Sequence, residues 1–141
     1  MANTIYPNFG SLMLGDAGAA HALPDLSVAG AESRLIDTGT YTYATTHQDE
    51  DDIVGVVGTE VALTGQTVVD GVWDATSPIV HTSVTGNTVE AVIFSYDAGG
   101  ATSANPLIMY IDTDTGGAIS ITPNGGDIEI ALGASIIDLI T

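Results

Sequence analysis

From Glu32 onward, apolar and β-branched residues recur at every second position in short runs, and turn residues interrupt them roughly every ten positions. No stretch between these runs is both long enough and periodic enough for a crossover helix, so the strands must meet antiparallel. Strands are expected from Arg34 to Asp37, over 41–45, 60–64 and 67–70, from Val72 to Ala75, and over 79–85, 88–96, 107–111, 118–122, 127–132 and 136–140. Turns fall at Gly65-Gln66, Asp70-Gly71, Gly86-Asn87 and PNGGD (123–127), the last read as a hairpin corner. The fold class is all-β, an antiparallel β-sandwich or barrel of about eight to ten short strands. A short N-terminal helical turn or arm precedes it, because Phe9, Leu12 and Met13 fall at helical spacing after Pro7. Residues 15–31 are rich in Ala and Gly. The division is an N-terminal arm and loop, 1–31, and a β-domain, 32–141.

Eighteen acidic residues face one basic residue, Arg34, for a formal net charge of -17. Such a chain repels nucleic-acid backbones and anionic membranes, so neither is an expected partner. With one cation available, internal salt bridges are expected to be nearly impossible. Apolar burial and strand hydrogen bonds must supply the stability. The acids are scattered, which favours a solvated surface over dedicated cation sites or docking onto a basic partner. No apolar run reaches membrane-span length, and the N-terminus lacks the pattern of a secretory signal. The absence of cysteine removes disulfides and thiolate chemistry.

Asp112 and Asp114, in DTDTGG, resemble the opening of a calcium loop. The position for the bidentate Glu is Pro123, and a strand stands where a helix is needed, so the preferred reading is a hairpin with Asp as turn former. The run QDEDD, 48–52, beside His47 is expected to be a solvated loop rather than a cation site. His21, His47 and His81 follow no metal-ligand spacing. No nucleophile elbow, zinc-protease motif or phosphate loop occurs. No cofactor is expected, nor an enzyme, and Trp73 is read as a core or subunit-contact residue.

Six phrases, in order, carry a resemblance: MANTIYPNF, LIDTGTYTYATTHQDEDDI, ALTGQTVVDGVWDA, VTGNTVEAVIFSYDAG, LIMYIDT and ITPNGGDIEI. Together they resemble small virion structural proteins of tailed bacteriophages and prophages. Where this chain has Ala131-Leu132-Gly133-Ala134, members of that family carry Trp-Asp-Asn-Gly, and they carry several lysines. The resemblance implies a capsid decoration, or cement, protein. It would be made in the host cytoplasm, carried on the exterior of the virion, and bound to the major capsid protein as a homo-oligomer, a trimer in many such proteins. The alternatives are a tail or head–tail connector component and a receptor- or carbohydrate-binding virion module. Ile5, Tyr6, Phe9, Leu12 and Met13, with Trp73, are the expected partner-binding residues. The first five would form either an arm lying in a groove between capsid subunits or a core-closing turn.

Overall fold

The computed structural model describes residues 3–133 and 136–138. Among these, twelve strand segments form in chain order: β1 (Thr4–Ile5), β2 (Ala31–Ile36), β3 (Val56–Ala62), β4 (Thr67–Val69), β5 (Val72–Asp74), β6 (Ile79–His81), β7 (Ala91–Tyr96), β8 (Leu107–Ile111), β9 (Thr113–Asp114), β10 (Gly117–Ala118), β11 (Ile128–Ile130) and β12 (Ile137–Asp138). One helix, α1 (Pro7–Met13), follows β1. Every strand pair among the described residues is antiparallel, as the all-β reading requires.

The main sheet has the order β1-β8-β7-β2-β3. Its β7, AVIFSY, is buried along nearly its whole length, so both faces of the sheet are covered. Alternation assigns the faces. Leu35 pairs with Val92 and Ser33 with Phe94, and this face meets the smaller sheets. The sheet β12-β5-β4 reaches it through Trp73, whose ring stands edge-on to Phe94 with centroids 6.1 Å apart. The β11-β6 pair reaches it through the hydrogen bond between Ser33 and His81. On the opposite face Arg34 pairs with Ile93 and Glu32 with Ser95, and the loops around residues 50 and 105 cover them. The result is a sandwich-like layering around one apolar core.

The segment from Asn3 to Met13 packs into that architecture. β1 pairs with β8, and the Tyr6 N–H donates to the Ile108 carbonyl at 3.0 Å. Asn3 grips the same edge: its side-chain oxygen accepts the N–H groups of Asp112 and Thr113, both at 3.1 Å. Pro7 opens α1, where its missing N–H costs nothing. The helix buries Phe9 and Leu12. The segment set apart as arm and loop therefore supplies a strand and several core side chains, and β2 begins at Ala31.

Asp70-Gly71 joins β4 to β5 as a two-residue turn, with φ of 50° and 81° at the two residues. Both values lie in the left-handed region that Asp and Gly tolerate, which is why this short sequence signal held. Several expected strands differ. Residues 41–44 have no ladder partner, because the chain turns on Asp37, whose carbonyl accepts the N–H of Thr40 and of Tyr41. The run 79–85 stops at His81, and Ser83 takes a φ of 52°. The run 118–122 keeps a strand end at Ala118 and an isolated bridge between Ile121 and Val89. PNGGD is consequently not a hairpin corner. β11 pairs with β6 instead, and the turn docks on Val84, with the Gly125 N–H donating to the Val84 carbonyl and the Val84 N–H to that of Gly126, each at 2.9 Å. Of the expected strand 136–140, residues beyond 138 lie outside the described residues.

Candidate functional site

The expected partner-binding residues are drawn largely inward. Tyr6 and Phe9 are fully buried, Leu12 is 5% exposed and Trp73 2%, while Ile5 and Met13 are half-buried against the same core. The Trp73 indole N–H donates to the Leu26 carbonyl at 3.1 Å, which satisfies its one polar atom.

Asp114 caps its own turn. Its carboxylate accepts the Gly116 N–H at 2.6 Å, inside the β9–β10 hairpin. This is the turn-forming role, and it recurs: Asp16 with Gly18, Asp25 with Ser27, Asp37 with Gly39 and Asp97 with Gly99 make the same bond two residues ahead. Hydrogen bonds from Asn87, Thr40 and Gly39 hold the Asp37 carboxyl below the usual range. Much of the chain's acidity thus serves local backbone geometry. Asp112 is buried at the end of β8. Among the described residues no three His, Asp or Glu side chains converge as a metal site.

The QDEDD run departs from the expected solvated loop. Residues Glu50–Asp52 form a 3-10 turn that Asp49 and Asp52 cap reciprocally. Glu50 points inward and is 8% exposed. One carboxylate oxygen lies 2.8 Å from the Arg34 guanidinium and accepts the Ser95 hydroxyl at 2.8 Å. The other accepts the Asn105 side-chain N–H at 2.8 Å. Arg34 also donates to Glu32 at 2.9 Å and to the Ser95 hydroxyl. Burial raises the Glu32 carboxyl, and the guanidinium opposes that rise. The one cation of the chain therefore anchors a buried polar cluster, which the charge count alone gave no reason to expect.

His81 sits at 1% exposure between two fixed partners. Its Nδ1 lies 3.1 Å from the Thr59 carbonyl, so it carries the proton, and its Nε2, 2.8 Å from the Ser33 hydroxyl, accepts. Burial pushes its pKa below the usual 6.5. Sign follows from linkage: the unfolded chain takes up this proton at a higher pH than the folded one, so the contribution is full above pH 6.5 and is lost as pH falls below it. Melting curves at about pH 7.5 and about pH 5.5 should show a larger loss on acidification for the parent than for His81→Gln. Equal losses would place the titration elsewhere.

Four tyrosines gather beside α1. Tyr6 and Tyr41 share a 2.7 Å hydrogen bond, and Tyr41 lies 2.8 Å from His47 Nδ1. The donor order that satisfies all three runs from Tyr6 to Tyr41 to His47. Burial pushes the Tyr41 hydroxyl up to about 12. Tyr43 stacks at a tilt between Tyr6 and Tyr110, with centroids 5.2 and 5.3 Å away. A cleft of about 530 Å³ opens over Tyr41, Tyr43 and Tyr110, with Glu90 and Asp112 on its walls. A second, apolar groove of about 830 Å³ runs over Val92 and Phe94 beneath Ile119 and Ile130.

The exposed large apolar side chains are another matter. Val54, Val56, Val68, Val69 and Ile121 are exposed elsewhere, and three more lie on the segment that follows α1: Leu14 is 90% exposed, Leu23 54% and Val28 49%. That segment is pinned on both sides of Leu23. His21 contacts Asn8, Asp49 and the Ser103 carbonyl, and the Leu26 carbonyl accepts Trp73. Sequence reasoning chose the helix residues and missed Leu14 and Leu23. Their only signal was an apolar residue in a stretch of Ala and Gly.

No known protein family, curated protein or solved structure matches this chain. No helix among the described residues is long and apolar enough to cross a membrane.

Proposed function

We propose that this chain is a structural protein of a tailed-phage particle, a decoration protein that docks on the outside of the major capsid shell and braces it. The ordered phrases of the sequence motivate the class. The observation that carries it is the anchored segment bearing Leu14, Leu23 and Val28, apolar side chains held outward on fixed backbone. Apolar side chains on backbone fixed in advance lose little entropy on binding. The buried Phe9 and Trp73 then serve the fold that presents it. A homo-oligomer, with a trimer as the expected state, suits a symmetric shell, and the particle exterior is the expected location. No catalytic role is proposed; the carboxylates of Asp37 and Asp114 serve as turn caps and that of Glu50 as a network member.

Co-sedimentation with shells of the source phage stripped of this chain tests the reading. The parent should bind at a copy number comparable to the capsid subunit. Leu14→Asp with Leu23→Asp should bind at least about tenfold more weakly, with an unchanged melting curve. Undiminished binding by the double variant would reject this surface. A copy number far below that of the capsid subunit would move the protein to the tail or connector.

A further inference from the structure

We infer that the tyrosine cleft receives an arginine side chain of the partner protein. The inference rests on the docking reading for its occupant and on the cleft itself for its chemistry. Two tyrosine rings, Tyr43 and Tyr110, lie side by side with centroids 5.3 Å apart, and Tyr43 is the half-buried one. Glu90, directly before β7, lines the cleft. One oxygen of its carboxylate is held by the Thr38 N–H at 3.0 Å and the Thr38 hydroxyl at 2.7 Å. Both donors are neutral, so they orient the carboxylate and leave its charge in place. The only Lys or Arg in the sequence, Arg34, is committed to Glu32 and Glu50 in another cluster. Asp112 also lines the cleft, and with Glu90 it opposes ionisation of the Tyr110 hydroxyl after burial has done most of that work.

A cleft of about 530 Å³ with aromatic walls and an oriented carboxylate fits a flat, delocalised cation. A guanidinium stacks on a tyrosine face while its N–H fork reaches a carboxylate, a geometry that the compact ammonium of lysine does not match. Thr42 and Ser120 on the rim supply hydroxyls to the surrounding backbone of the partner.

The test uses the whole chain and two probes, N-acetyl-arginine amide and the neutral N-acetyl-citrulline amide, followed by the NMR ring signals of Tyr43 and Tyr110. Arginine should shift these signals saturably and citrulline should not. Glu90→Gln, checked by its melting curve, should weaken the arginine response by about tenfold. Tyr43→Leu should weaken it as well, and it covers the case in which the glutamine variant does not fold. Equal shifts from both probes, or an arginine response spread over the whole surface without saturation, would overturn the cleft. Stripped shells separate the two readings. Shell binding by Glu90→Gln at parental strength would reject the cleft as a docking point and leave the apolar segment standing. Failure of the parent to bind shells, with the arginine response intact, would reject the shell as partner and retain the cleft chemistry.

Discussion

Replacing Phe9 with alanine is expected to destabilise the protein by about 3–5 kcal/mol, the usual cost of removing a buried phenyl ring where the surroundings cannot collapse. Phe9 has no solvent exposure, and α1 follows β1, which is paired to β8, and buries its own Leu12 in the same core. Against a total stability of about 5–15 kcal/mol, that loss is a large fraction. Deleting residues 2–14 should go further and leave no cooperative unfolding transition. It removes a strand of the main sheet, the Asn3 clamp on Asp112 and Thr113, and the Tyr6–Tyr41 bond together. Thermal melts followed by circular dichroism decide it. A truncated chain that still melts cooperatively near the parental temperature would mean that this segment is a detachable arm after all.

The second large effect is expected at Arg34. Arg34→Met should cost about 3–5 kcal/mol, because it leaves the Glu50 carboxylate buried opposite a hydrocarbon. The side chains of Arg34 and Glu50 are 11% and 4% exposed, so water cannot take over the role of the guanidinium. Adding Glu50→Gln should return much of the loss. The amide carries no charge and can still meet Ser95 and Asn105. Denaturant melts of the two single variants, the double variant and the parent form a cycle that isolates the coupling. A double variant no more stable than Arg34→Met alone would show that the guanidinium packs rather than compensates charge.

How far the sequence could be read depends on which interactions decide each element. β7 and β8 were legible because AVIFSY and LIMYI carry strand propensity and burial in the same residues. Asp70-Gly71 was legible because a two-residue hairpin admits few residue types. The pairing of β11 with β6 was not, since both neighbouring runs looked equally like strands and only tertiary contact chose between them. Tyr41 and Tyr43 looked like alternating strand positions, but their hydroxyl and ring contacts belong to a cluster assembled from three separate stretches. Glu50 could not be told from Asp51 and Asp52 by composition. What distinguishes it is the Arg34 side chain projecting from β2. The repeated Asp-x-Gly phrases at 16–18, 37–39, 97–99 and 114–116 were a readable signal for turn caps, and they account for acids that charge counting assigned to solvent alone.

A chain with no lysine and one arginine offers trypsin a single place to cut, and that place is on β2, hydrogen-bonded to strands on both sides. A protease needs several extended residues free of their neighbours, so cleavage after Arg34 must wait for the main sheet to open. The protein therefore contains its own gauge of global opening. The rate at which one band becomes two reports the population of the unfolded chain directly, without interference from nicks in surface loops. Enzymes that attack at basic residues find the exposed loops of this chain empty of targets.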